Sequence, residues 1–152
     1  MTEPAGGEPG RPTAASPDCL FCKIVAGQVA AHVVDDGPEA LAFLDHRPVF
    51  FGHCLIVPKT HYETLSDVPA AELGPLFARV QRVARAVEKG LGADGTFVAA
   101  NNRVSQSVPH FHVHVVPRRK KDGLRGFFWP RQKYQNEDNA RATVDLIRNA
   151  LA

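Results

Sequence analysis

The stretch His110-Phe111-His112-Val113-His114-Val115-Val116 alternates imidazoles with apolar side chains. A period of two is the mark of a β-strand, because residues i, i+2 and i+4 share one face. His110, His112 and His114 therefore line one surface, while Phe111, Val113 and Val115 turn into a core. A solvent-facing strand ordinarily takes Thr, Lys, Glu or Arg at such positions. Three of the seven histidines within five residues thus mark chemistry rather than strand propensity. An imidazole near neutrality serves as nucleophile, proton donor or metal ligand, and the row by itself leaves all three open.

Working outward, Thr96 to Ala100 and Pro109 to Val116 read as two strands joined by a polar loop. Upstream, with Ser66 or Asp67 as N-cap and Pro69 in the first turn, apolar residues recur at Leu73, Leu76, Phe77, Val80, Val83, Ala84, Val87 and Leu91. This is a long amphipathic helix, ended by Gly90 and Gly92. Arg79, Arg82, Arg85 and Lys89 on its other face read as a solvated stripe. His32 to Val34, Ala40 to Leu44 and Cys54 to Val57 are strand-like runs, parted by Asp35-Asp36-Gly37-Pro38 and by Pro48 to Gly52, the spacing of an antiparallel meander. Leu20, Phe21, Ile24 and Val25 fall at helical spacing before Gly27, which puts Cys19 and Cys22 one turn apart. Ala140, Val144, Ile147 and Leu151 predict a closing amphipathic helix packed on the sheet. Runs of strands with segregated helices imply an α+β fold: an antiparallel sheet of about five strands, a long helix and a C-terminal helix.

A chain of 152 residues suits one domain. Its net charge of +2 with 22% charged residues lacks the basic field that nucleic-acid binding needs, so no nucleic-acid partner is expected. Residues 1–18, rich in Gly, Pro, Ala and small polar types, read as a disordered leader ahead of a domain over 19–152. No basic segment followed by an apolar one opens the chain, and no run of about 18 apolar residues occurs, so a cytoplasmic protein without membrane attachment is expected. Three cysteines, an odd number, argue against a disulfide framework and for metal or free thiols.

Before the histidine row stand Asn101, Asn102, Gln106 and Ser107, neutral groups that suit phosphate oxygens. Gln106-Ser107-Val108-Pro109, the row itself and Pro117-Arg118 together resemble the signature of the histidine triad (HIT) family, a highly specific motif. Further matching blocks run from Cys19 to Gly27, from Ala42 to Pro48 and from Gly52 to His61. The resemblance implies a HIT-like fold and an enzyme, a purine nucleoside phosphoramidase or dinucleoside polyphosphate hydrolase. It would act at the α-phosphate of adenine nucleotide conjugates such as phosphoramidates, adenylates or dinucleoside polyphosphates. By position it makes His112 the nucleophile of a covalent nucleotidyl-histidine, with His114, Gln106, Ser107 and Asn101 at the phosphates and leaving group. It sets Asp45 at the ribose hydroxyls and Leu20, Phe21, Ile24 and Phe43 around the base. Apolar walls carry little base code, so a purine, adenine first, is the expected ligand, as part of an AMP-containing nucleotide. A homodimer is implied as well.

The Cys19-x-x-Cys22 pair reads as a redox motif, a zinc half-site or two unremarkable helix residues. Metal is favoured, because redox use would call for a strand ahead of the pair. In the zinc-bearing bacterial branch of the resembled family, the partners fall on His61 and His110, giving a Cys2His2 set for a structural zinc. His110 would then differ in task from His112, since a ligand held by zinc is not a free nucleophile. His32 and His46 read as surface or satisfied groups, and His53 as the exception to watch because it lies in a matched block.

The chain departs from the resembled pattern in two places. The loop Asn102-Arg103-Val104-Ser105 is short and has no glycine, where family members bring backbone amides close to phosphate. After about residue 119 the sequence diverges, with the basic run Arg118-Arg119-Lys120-Lys121 and with Phe127-Phe128-Trp129, whose Trp129 reads as core or as part of a partner subunit's pocket. A nucleotide-binding regulatory protein with little turnover is the competing class.

Overall fold

The computed structural model describes residues 15–124 and 132–151. They fall into two compact units, one ending at Lys120 and one beginning at Lys121. Phe127, Phe128 and Trp129 lie outside the described residues, as does the leader over 1–14; Ser16 to Cys19 form a turn closed by the Cys19 N–H on the Ser16 carbonyl.

The first unit is a five-stranded antiparallel sheet in the order β1-β2-β3-β5-β4. Its strands are β1 (Val33–Asp36), β2 (Ala40–Leu44), β3 (Cys54–Pro58), β4 (Gly95–Ala99) and β5 (Val113–Arg118). With α1 (Leu20–Val25), α2 (Ala70–Leu91) and α3 (Glu137–Asn149), the α+β architecture is as expected. The central strands β2 and β3 are buried almost throughout, because the sheet carries a core on each face. Leu76, Val80, Val83 and Val87 of α2 pack on Ala40, Ala42, Ile56, Phe111, Val113 and Val115. On the opposite face Cys19 and Phe21 meet Leu41, Phe43, Leu55 and Val57.

Several boundaries differ from expectation. Asp35 and Asp36 belong to β1 rather than to the turn after it. β1 is an edge strand, and its carboxylates are held by cations: Arg79 Nη1 lies 2.7 Å from Asp35 and Lys59 Nζ 2.6 Å from Asp36. Arg79 also reaches Glu39 at 2.9 Å and covers the Cα of Gly37, leaving no room there for a Cβ. Part of the basic stripe of α2 is therefore an ion-paired seam rather than a solvated face.

The long helix starts later than expected. The residue before a proline avoids helical ψ, and Val68 sits at ψ 124 ahead of Pro69, so Leu65–Asp67 form a separate 3-10 turn and Pro69 becomes the N-cap of α2. Gly92 ends α2 in the left-handed conformation, at φ 62. β5 begins at Val113, four residues beyond the expected Pro109. Pro109 has no N–H to offer a ladder, the His110 N–H turns back to the Val108 carbonyl, and the Phe111 N–H bonds the carbonyl of Tyr62. In the second unit α3 forms as expected, capped by the Asn136 side chain, which accepts the Asn139 N–H.

Candidate active site and metal centre

Although only His114 lies within β5, the alternation persists through the preceding residues. Phe111, Val113 and Val115 are in the core under α2. His114 stands opposite Leu55, which belongs to the other core. That face is covered by α1, so His110 and His112 are buried rather than displayed. The Phe21 ring stands edge-on to both, with centroids 5.9 Å from His110 and 5.1 Å from His112.

Hydrogen bonds to backbone groups fix the tautomers, since a carbonyl only accepts and an amide N–H only donates. His112 donates from Nδ1 to the His110 carbonyl at 2.7 Å, which leaves its Nε2 with a lone pair. His110 donates from Nε2 to the Pro58 carbonyl at 2.8 Å, which leaves Nδ1 as its basic atom. His53 Nδ1 accepts the Val49 N–H at 3.2 Å, so its Nε2–H donates to His114 Nδ1 at 3.0 Å and His114 keeps its proton on Nε2. His53, 3% exposed, is the exception the sequence flagged without a role. Its signals were the matched block and its place directly before an all-apolar strand.

Burial lowers the pKa of all four imidazoles. His110 and His114 are pushed down to about 4, chiefly by desolvation. His112 and His53 are also held below 6.5 by desolvation; for His112 the bond to the His110 carbonyl and the Asp45 charge act in the opposite sense without overcoming it. Neutral rings at pH 7 are what a nucleophile or a ligand requires.

Cys19, Cys22, His61 and His110 bring their donor atoms within 4.8 Å of one another. Cys22 Sγ lies 3.2 Å from His61 Nδ1 and 3.5 Å from His110 Nδ1, Cys19 Sγ is 3.5 Å from His110 Nδ1, and the two Nδ1 atoms are 3.1 Å apart. A tetrahedral ion bonded at about 2.0–2.3 Å separates its ligands by roughly 3.3–3.8 Å. These four separations lie within a few tenths of an ångström of that range, and the Pro58 carbonyl aims the basic nitrogen of His110 into the cluster. α1 supplies the sulfurs because Cys19 is its N-cap, with Sγ accepting the Cys22 N–H at 3.4 Å.

On the other side of α1 lies a cavity of about 630 Å³ lined by Leu20, Phe21, Ile24, His32, Phe43, Asp45 and Pro48, a mostly apolar wall with one carboxylate. Asp45 sits at the end of β2, where it accepts the Arg47 N–H and lies 3.7 Å from His53. The loop residues are placed differently. Gln106 accepts the Arg103 N–H and donates to the Glu63 carbonyl at 2.6 Å. Arg103 and Ser105 hold left-handed backbone at φ 67 and 58 where glycine would be unstrained. Ser107 lines a second cavity beside Cys19 and His61, and Asn101 is exposed.

The HIT domain family matches residues 26–121, which contain all four of these imidazoles and Asp45. The chain belongs to the HIT family. A Streptococcus mutans crystal structure superimposes on this HIT protein with a TM-score of 0.82 at 31% identity, covering 99% of this chain and 100% of the other. A zinc-bound histidine triad protein from Mycobacterium smegmatis gives a TM-score of 0.68 at 38% identity, covering 88% and 97%. Among relatives, the adenosine 5'-monophosphoramidase hnt1 of Schizosaccharomyces pombe is 35% identical over 74% of this chain and 83% of its own length. Adenylylsulfatase HINT3 of Arabidopsis thaliana is 34% identical over 70% of this chain and 55% of its own. Among the described residues, no helix is long and apolar enough to cross a membrane.

Proposed function

We propose that the protein is a nucleotidyl hydrolase or transferase that cleaves adenine nucleotide conjugates at the α-phosphate through a nucleotidyl-His112 intermediate. The observation that carries this reading is the 2.7 Å bond from His112 Nδ1–H to the His110 carbonyl, which leaves Nε2 unprotonated on a ring packed edge-on against Phe21, a wall residue of the large cavity. The base stacks against Leu20, Phe21, Ile24 and Phe43, and Asp45 accepts both ribose hydroxyls. His112 Nε2 attacks the α-phosphorus. A P–N bond to His112 forms as the bond to the leaving group breaks, and the leaving group departs with that bond's electron pair and takes its proton from solvent water. His114, its proton fixed on Nε2 by His53, donates a hydrogen bond to the leaving side of the phosphate. Water then attacks the same phosphorus, releases AMP and frees His112.

Phosphate contacts from Gln106, Ser107 and Asn101 belong to this proposal too. They require the Gln106 amide, now bonded to the Arg103 N–H and the Glu63 carbonyl, to exchange partners when nucleotide enters. Zinc is the ion that suits Cys19, Cys22, His61 and His110, and its chemistry there is structural: four protein ligands leave no open position for substrate. The relatives named as a monophosphoramidase and an adenylylsulfatase both act, by those names, on AMP-linked compounds, which supports the same class of substrate here. Incubation with adenosine 5'-monophosphoramidate and with diadenosine tetraphosphate tests the reading. Release of AMP from either is the expected result. AMP binding with no turnover of either would instead favour a regulatory nucleotide-binding protein.

A further inference from the structure

We infer that the metal centre is a clamp that sets nucleotide affinity: by holding α1 through Cys19 and Cys22, it positions the helix whose other side chains form the base-binding wall. The inference rests on the nucleotide pocket and the zinc site proposed above and adds a coupling between them.

Three observations carry it. First, α1 has six residues, of which only Phe21 is buried. Isolated helices shorter than about 12 residues are marginal in water, so such a segment keeps its place only through tertiary anchors. Second, both anchoring cysteines interleave with the pocket residues. Cys19 directly precedes Leu20 and Phe21, and Cys22 stands between Phe21 and Ile24, so a ligand bond at either sulfur fixes the pocket side of the same turn. Third, the fixed ends of the clamp lie in the body of the unit. His110 bonds the β3 carbonyl of Pro58, and the carbonyl of His110 holds His112 Nδ1. One residue thereby joins metal, sheet and nucleophile, while Phe21 rests on the His110 and His112 rings.

Without the ion, four donors within 4.8 Å of one another are tied by hydrogen bonds rather than by coordination, and α1 gains freedom that nucleotide binding must then remove. Cys19, Cys22 and His61 are thus positioning residues for the base pocket. Linkage makes the effect reciprocal: if zinc tightens AMP binding, AMP tightens zinc binding by the same factor.

The test is calorimetric titration of AMP into zinc-loaded protein, into the same protein stripped by a chelator under reducing conditions, and into stripped protein refilled with Co2+. Circular dichroism on each sample reports the fold. The expected result is at least a tenfold rise in AMP Kd on stripping with α2 and the sheet intact, and its reversal as the Co2+–thiolate absorption band appears. Should stripping unfold the chain, Cys22→Ser, which keeps three ligands and the apolar core, carries the same comparison. Equal AMP Kd in folded loaded and folded stripped (or Cys22→Ser) protein overturns the clamp. No AMP binding to the zinc-loaded protein overturns the nucleotide site itself, and the clamp with it.

Discussion

At the scale of single residues, chemistry is assigned by which nitrogen of each imidazole is committed to a backbone group. His110 and His112 are two positions apart on one face, yet one turns Nδ1 to sulfur and the other turns it to a carbonyl. His112→Ala removes the only one of these rings whose Nε2 is proposed to meet phosphorus while leaving the Asp45 cavity in place. Turnover should fall by several orders of magnitude, with AMP affinity changed by no more than a few-fold. Steady-state kinetics and calorimetry on one preparation check this, and substantial residual turnover would sink the assignment. The histidine row and Cys19-x-x-Cys22 stand out in the sequence as dense local patterns, whereas His61 entered only through the family resemblance. His53 was flagged by its block, but its role was not readable, because that role comes from a partner 61 residues away, His114, whose proton it places.

At the scale of elements, spacing located the three α-helices and five strands of the described residues but not the 3-10 turn Leu65–Asp67, and the misplaced ends have local or long-range causes. Asp35 and Asp36 have turn-like composition, but Arg79 and Lys59, 44 and 23 residues away, hold them in an edge strand. Nothing near them in sequence announces those cations. The late start of β5 follows from Pro109 and from the Phe111 bond to Tyr62, the second of which only the fold reveals. The β1–α2 seam carries its own prediction. Hydrogen bonding to Arg79 holds the Glu39 pKa below its ordinary 4.5. A lowered carboxylate pKa stabilises the fold above the unfolded value, and that stability is lost as pH falls through the folded value. Glu39→Gln should therefore lower Tm at pH 7, and its gap from the wild type should close below pH 4.5. A gap constant with pH, measured by thermal melts in low salt, would contradict the ion-pair account.

At the scale of the whole molecule, two cores back a single sheet, and the histidine face is sealed by a helix too short to stand alone. The sequence announced α1 and α2 equally, but only the fold shows that one is buried along a full stripe and the other is tied at its start. If zinc occupies the four-ligand cluster, elemental analysis will find one ion per chain, absent from Cys19→Ser, which will also melt at lower temperature. Metal-free protein of unchanged stability would remove zinc from the account. The central claim, covalent transfer of the nucleotide to one histidine, is tested most directly by intact-mass and peptide mass spectrometry after brief exposure to adenosine phosphoramidate and acid-free quenching. The account predicts an added adenylyl group on His112, absent from His112→Ala; turnover with no adduct trapped, or an adduct on another residue, would contradict it.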